Sequence, residues 1–221
     1  MSTSYKVTVQ PDASAEPITL SEMKRWLRVD WADDDADITA LITRARTWAE
    51  SVTHRALAVQ TIQQVETIER PSGGELSGPI NRGPSWYQYQ EQLGANPFGA
   101  AQFYFDLSMP PFKSGTSYTL ETKVTAFDPW TGFPQTTNGD GSTNTYVDDT
   151  REPARLYVQA PITANFWRLT FTAGYDSGYP MPPDLLQLIK ETAAFFYENR
   201  EASVPPDGFI KRALAHRVDW L

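Results

Sequence analysis

The chain of 221 residues contains no cysteine and only two histidines, His54 and His216. The lack of cysteine excludes disulfides, thiolate metal sites and cysteine nucleophiles. Neither histidine lies in a spaced metal-binding motif, and the nucleophile-elbow, Walker and dinucleotide-binding patterns are missing as well. The sequence therefore predicts a protein that is not an enzyme and needs no cofactor.

Long apolar segments are also lacking. No stretch approaches the roughly 18 consecutive apolar residues that a membrane-spanning helix requires. The first ten residues lack the basic and then apolar pattern of a secretion signal. We therefore expect a soluble protein made in a reducing cytoplasm, with no membrane partner. The net charge of −8 argues against a protein held to nucleic acid by its overall field.

An acidic run could suggest a calcium site, because Asp33, Asp35 and Asp37 have the spacing that opens a calcium-binding loop. Such a loop needs glycine at its sixth position and a bidentate glutamate at its twelfth. The sequence places Ile38 and Arg44 there. We therefore predict no metal site, and interpret the carboxylates as an acidic helix start that complements the helix dipole.

Four helices are indicated by capping residues and by apolar residues at helical spacing. The capping-box pattern from Thr19 to Glu22 starts a helix over about 20–28. A longer amphipathic helix follows over about 34–53. A third helix begins at Pro182–Asp184 and ends near Asn199, and a short amphipathic helix covers Phe209–Leu221.

The middle of the chain has the alternation and turn residues of strands. We predict an α+β fold: a mainly α-helical bundle, made of the N-terminal helix pair and the C-terminal helices, with an inserted small antiparallel β-region. The predicted organisation is 1–58 for the arm and helix pair, 59–176 for the β-rich insertion and 177–221 for the C-terminal helices. The strand candidates are Val59–Ile68, Phe103–Leu107, Tyr118–Phe127, Thr145–Val147, Arg155–Val158 and Phe166–Ala173.

A Gly- and Pro-rich stretch over 70–102 contains an aromatic patch of Trp86, Tyr87 and Tyr89. A structureless loop of this length usually binds something. Aromatic anchors are common at protein interfaces, so these side chains are candidates for a subunit contact or for packing on the β-region. They could equally stack on sugars, which leaves a carbohydrate-binding module open as an alternative.

Several segments, in this order and spacing, resemble the phage gp6-like head-tail connector (adaptor) proteins. The N-terminal resemblance is a Pro-hydrophobic-Thr-Leu start, a helix ending in Leu-Arg-Val, an Asp-rich turn and a longer helix. Further similar segments are the one in which the longer helix leads into the first strand, the last strand, and the start and the end of the helix that follows that strand. The segments are Glu16–Asp30, Ile38–Arg46, Thr53–Leu57, Gln60–Thr61, Leu169–Tyr175, Met181–Asp184 and Phe196–Glu201.

The resemblance implies a structural subunit of the neck of a virion, made in the host cytoplasm. Such subunits form a homo-oligomeric ring, of about twelve copies, beneath the portal protein. The ring extends the DNA channel toward a stopper (head-closure) or tail-terminator protein, and DNA passes through it without specific binding. The particle could be a phage or a gene transfer agent.

The resemblance also assigns candidate site residues. In similar adaptors the C-terminal segment docks on the portal, as an amphipathic helix can in a partner's groove. Its candidates are Phe209, Lys211, Arg212, Leu214, Arg217, Val218, Trp220 and Leu221. For the subunit interface we predict ion pairs of Arg44, Arg46 and Arg55 with the run of Asp33, Asp34, Asp35 and Asp37, together with the aromatic patch.

Two alternatives stay open from the residues alone. A carbohydrate- or receptor-binding tail or neck protein would use the β-region and the aromatic patch. An enzyme such as a cell-wall hydrolase would need a pocket with converging carboxylates, and 27 acidic residues can always supply a pair without signalling one.

Overall fold

A computed structural model of the chain describes residues 3–11, 15–67, 102–135, 144–159 and 164–218. The described chain begins with a strand, continues with two helices and then seven strands, and ends with two helices. The helices are α1 (Leu20–Leu27), α2 (Asp35–Thr53), α3 (Pro183–Glu198) and α4 (Asp207–Leu214). The strands are β1 (Thr3–Val9), β2 (Gln60–Thr67), β3 (Gln102–Asp106), β4 (Thr119–Lys123), β5 (Thr131–Gly132), β6 (Thr145–Asp148), β7 (Arg155–Gln159) and β8 (Phe166–Ala173).

The strands form two antiparallel sheets. One has five strands in the order β1-β2-β8-β4-β5, and the other has three in the order β3-β7-β6. In the larger sheet β2 and β8 pair along their whole length, from Gln60 opposite Ala173 to Thr67 opposite Phe166. Alternate residues of β8 are buried and belong to a core shared with the smaller sheet, where the Trp167 ring lies 5.8 Å from that of Phe105.

The four helices share a second core. Its residues come from all four helices, and α2 contacts each of the other three. Ile38, Ile42, Ala45 and Ala49 form the buried stripe of α2 that the helical periodicity predicted. The helical core also takes in Leu57, which lies between the end of α2 and the start of β2.

The α+β class and the antiparallel pairing are confirmed, but the mainly helical bundle is wrong. Helix and strand make up about 31% and 25% of the described chain, and the sheets have a core of their own. Part of the difference is β1, because the N-terminal arm pairs with β2 and adds an edge strand to the larger sheet. The β-region is therefore not limited to the middle of the sequence.

Gly174 is required where the two cores meet. Its φ is +125°, and a Cβ built there would overlap the backbone carbonyl of Ala58. Its N–H donates to the carbonyl of Pro111 at 2.9 Å. Only glycine combines this conformation with so close an approach of two backbones. This close contact between the Gly174 and Ala58 backbones holds the segment between α2 and β2 against the end of β8.

One predicted strand is too long. Strand β4 ends at Lys123, whereas the sequence predicted a strand as far as Phe127. Residues 124–128 instead form a turn, in which the N–H of Thr125 donates to the Asp128 carboxylate at 2.7 Å. Aspartate side chains commonly accept such bonds in turns and thereby compete with strand pairing.

Candidate functional site

A buried charge cluster joins the N-terminal segment to α2. The Arg46 side chain is 2% exposed, and its Nε donates to Glu16 at 2.9 Å while its Nη1 donates to Glu50 at 2.7 Å. Arg46 and Glu50 are one helical turn apart and therefore lie on the same face of α2. A buried guanidinium needs such partners, because an unpaired charge in the protein interior is strongly destabilising.

Glu50 extends this cluster to the start of β2. One oxygen accepts hydrogen bonds from the Leu57 N–H at 2.8 Å and from the Gln60 side chain at 3.2 Å. Burial raises the pKa of Glu50, although the Arg46 charge acts in the opposite direction. The helical periodicity gave no sign of this cluster, since Glu16 lies 30 residues before Arg46 in the sequence.

Arg44 and Arg46 do not take the positions predicted for interfacial ion pairs. Arg46 is enclosed within the protomer, so its prediction as a subunit-contact residue is wrong. The Arg44 guanidinium lies 3.8 Å from the centroid of the Phe196 ring and donates to the carbonyl of Ala202 at 2.6 Å. Arg44 thus stabilises the connection between α3 and α4, a contact that local sequence patterns do not reveal.

The acidic run divides into inward and outward residues. Asp34 accepts hydrogen bonds from the Tyr197 hydroxyl at 2.7 Å and from the Trp31 indole at 3.1 Å, and these bonds hold its pKa below the usual range. Asp35 pairs with Lys24. Asp33 and Asp37 are exposed, and they remain the members of the run that a neighbouring subunit could reach.

The C-terminal segment is built into the helical core. Ala213 is fully buried, the Phe209 ring lies 5.9 Å from that of Phe195, and Arg212 pairs with Glu191 on α3. The N–H of Val218 donates to the carbonyl of Thr53 at 3.0 Å. The helix ends at Leu214, so the predicted helix through Leu221 is too long.

The outer face of this segment is basic with one apolar side chain. Lys211, Arg212 and Arg217 are exposed, and Leu214 is 44% exposed. Phe209 and Val218 are half-buried and face the fold. The structure therefore separates the predicted portal-contact residues into an outward set and an inward set.

Five of the predicted contact residues lie outside the described residues: Trp86, Tyr87, Tyr89, Trp220 and Leu221. The carbohydrate-binding alternative depended on the first three. Nothing in the described part of the chain bears on that alternative.

Two further properties concern the described residues alone. They contain no group of three or more His, Asp or Glu side chains that could hold a metal ion. None of their helices has the length and apolar character needed to cross a membrane.

Comparison with solved structures shows the same fold in proteins of a gene transfer agent (GTA) particle. One match is a chain from the neck of the native particle computed with C12 symmetry, at 18% identity, a TM-score of 0.58, and coverage of 99% of this chain and 97% of that one. A chain from the neck of the empty particle computed with C6 symmetry matches at 17% identity and a TM-score of 0.59, covering 100% and 97%. A chain from the native virion matches at 18% identity and a TM-score of 0.61, covering 98% and 96%.

Comparison by sequence identifies a family over the N-terminal part of the chain. No curated protein sequence matches. Residues 17–74 match the model of the phage gp6-like head-tail connector protein family. This segment contains α1, the acidic run, α2 and β2, which carried the N-terminal part of the resemblance in the sequence. The similar segments between residues 169 and 201 lie outside the match. Over residues 17–74 the chain therefore has the signature of the phage gp6-like head-tail connector proteins, as the sequence predicted.

Proposed function

We propose that the chain is a structural head-tail connector (adaptor) subunit of a phage or phage-like particle. In this role it forms a ring in the virion neck, beneath the portal protein, and extends the DNA channel toward the tail. It acts as an assembly component and not as an enzyme. The ring has about twelve copies, the order of symmetry computed for one matched neck.

The observation that carries the proposal is the match between the fold of this chain and that of neck proteins. The fold match covers nearly all of both chains, so it includes the sheets as well as the helices. A shared fold alone does not establish function. The family match over 17–74 is a separate comparison, made by sequence, and it supports the same role.

The outward face of α4 is the proposed portal contact. Lys211, Arg212 and Leu214 are exposed on α4, and Arg217, Trp220 and Leu221 follow the helix in the sequence. An amphipathic segment with an exposed leucine and a cluster of cations can occupy an apolar groove with an acidic rim. Deleting the segment would be a poor test, because Ala213 and Phe209 belong to the helical core.

The other partners follow from the same role. A stopper or tail-terminator protein binds the opposite side of the ring. Asp33 and Asp37 lie at the exposed start of α2 and are proposed to face a neighbouring subunit. DNA passes through the channel without specific binding, which suits a net charge of −8, because a lining that bound phosphates tightly would impede passage.

The experiment mixes the full chain with its cognate portal ring and counts bound copies by native mass spectrometry. We expect saturation near twelve copies. The variant Leu214→Ser with Lys211→Glu changes only exposed side chains and is expected to lose binding. Val204→Ser removes an apolar side chain elsewhere that is 56% exposed, against 44% for Leu214, and is expected to bind normally. A wild-type chain that does not bind an intact portal would contradict the proposed function.

A further inference from the structure

The turn between β4 and β5 presents a phenylalanine to solvent. Phe127 is 97% exposed, and Val124 beside it is 53% exposed. A phenylalanine exposed on almost its whole surface would gain apolar burial from any partner that covers it. We call residues 124–128 the Phe127 turn.

The Phe127 turn is held in place by hydrogen bonds. The Lys123 ammonium donates to the carbonyl of Ala126 at 2.8 Å, and the Asn165 side chain donates to the carbonyl of Val124 at 2.9 Å. The Asp128 carboxylate accepts the Thr125 N–H at 2.7 Å. Because the turn is already ordered, little conformational entropy remains to be lost when a partner covers Phe127.

A cleft of about 480 Å³ lies on another part of the same protomer. Its apolar lining includes Pro110, Pro111, Phe112, Ala154 and Tyr179. This volume is within the range of clefts that enclose a small ligand, so a phenyl ring and its neighbouring residues can enter it.

The charged groups that line this cleft are nearly balanced, with Lys113 and Arg151 against Asp149, Glu152 and Asp176. Lys113 pairs with Asp176 at 2.8 Å, and Arg55 pairs with Glu152. An incoming group therefore need not supply a charge. What the cleft offers is its apolar surface, which suits an aromatic side chain better than an ionic ligand.

The Phe127 turn and the cleft lie at opposite ends of β8. Lys123, just before the turn, pairs with Phe166 at the start of β8. Phe112, in the wall of the cleft, pairs with Ala173 at its end. Eight residues of strand separate the two sites by roughly 24 Å at about 3.4 Å per residue. A head-to-tail ring needs two different patches on opposite sides of each subunit.

From this arrangement we infer that the Phe127 turn of one subunit inserts into the Pro110–Phe112 cleft of the next subunit around the ring. The occupant of the cleft is thus a second copy of this chain. The inference rests on the proposed ring function, and it specifies which surfaces form the lateral contact. Repeating the contact around the ring covers every Phe127 and fills every cleft.

Cross-linking tests this contact directly, because the chain has no native cysteine. Ala126→Cys places a thiol beside Phe127, and Ser114→Cys places one at the exposed rim of the cleft. The double variant, treated with a short bis-maleimide with and without the portal ring, is expected to give a ladder of covalent oligomers. A control with Val204→Cys and Ser114→Cys is expected to give no covalently cross-linked oligomers.

A third substitution shows that the contact depends on the phenyl ring. Adding Phe127→Ser to the double variant removes an apolar group that touches little within the protomer, so folding should be retained and checked by circular dichroism. We expect cross-linking to fall roughly tenfold or more, the loss anticipated when one buried phenylalanine is removed. Val204→Ser, at an exposed apolar side chain elsewhere on the subunit, is the control and should leave the ladder unchanged.

The outcomes separate the lateral contact from the proposed function. A ladder that depends on Phe127 supports the contact, even if the chain fails to bind the portal, in which case only the connector role is lost. The lateral contact is refuted if portal-bound rings give no ladder, or give a ladder that Phe127→Ser does not change. Either result leaves the connector role intact. Absence of the ladder both with and without the portal also overturns it.

Discussion

Replacing Glu50 with alanine should destabilise the fold by about 3–5 kcal/mol, the range for breaking a buried ion pair by removing one partner. The structure explains why the effect is large. Arg46, 2% exposed, would keep only Glu16 as a charged partner. The buried N–H of Leu57 would lose its acceptor, a loss that by itself costs about 1–3 kcal/mol. Glu50→Gln retains an acceptor for Leu57 and should fall between the wild type and alanine.

The assay is urea unfolding of the full chain followed by circular dichroism. We expect Glu50→Ala to lower the midpoint concentration with little change in the slope, as for a change in stability alone. Glu191→Ala is the matched control, because its ion pair with Arg212 is partly solvent-exposed, with 29% and 51% of the two side chains exposed, and should contribute less than about 1 kcal/mol. If Glu50→Ala were no more destabilising than Glu191→Ala, the assignment of Glu50 as the link between α2 and β2 would be refuted.

Three further substitutions test other parts of the fold. Gly174→Ala should cost more than about 2 kcal/mol of unfolding free energy, because its Cβ overlaps the Ala58 carbonyl, whereas Gly132→Ala, with open space around it, should change it by less than about 0.5 kcal/mol. Trp167→Ala should cost about 3–5 kcal/mol by opening a cavity between the sheets, and a loss below about 1 kcal/mol would contradict that placement. The pKa of Glu22 is lowered by its hydrogen bonds at the start of α1, so its charge stabilises the fold above the unfolded-state pKa and ceases to do so as pH falls through the folded-state pKa. Thermal melts should therefore show wild type more stable than Glu22→Gln at neutral pH, and this difference should shrink as the pH falls through the folded-state pKa. A difference that stays constant into strong acid would contradict the capping role.

Local sequence signals predicted the helices well. The capping box at Thr19 and Glu22 forms as expected, and the helix that follows ends one residue before the predicted boundary. Strand β8 has the predicted bounds, Phe166–Ala173, because its alternation of apolar and polar residues matches the two faces of the sheet. These features depend on residues a few positions apart, which is the range in which a sequence pattern is informative.

The buried polar side chains of β2 could not be predicted in the same way. Gln60, Gln64 and Glu66 are buried on its inner face, which a sequence pattern would assign to solvent. Gln64 is accommodated because it accepts the N–H of Ser108 at 2.8 Å and donates to the carbonyl of Asp106 at 2.9 Å. These two partners lie more than 40 residues away in the sequence, so only the tertiary fold reveals them.

The candidate contact surfaces were predicted less completely than the fold. Sequence composition identified α4 as amphipathic, but it did not show that Phe209 packs on Phe195 and that the outward face holds Leu214 and the basic residues. The exposure of Phe127 was also missed, because the residue lies at the end of a run that resembles a strand. Which side of an amphipathic element faces solvent depends on packing partners that the local sequence does not specify.

The proposed role as the connector ring of a virion neck is tested most directly by single-particle electron microscopy of the full chain mixed with its cognate portal. We expect an additional ring of about twelve subunits at one end of the portal, coaxial with its channel, as in a neck of C12 symmetry. We also expect α4 to face the portal in that density. Portal particles without an added ring, at protein concentrations where both components are intact, would contradict the connector role.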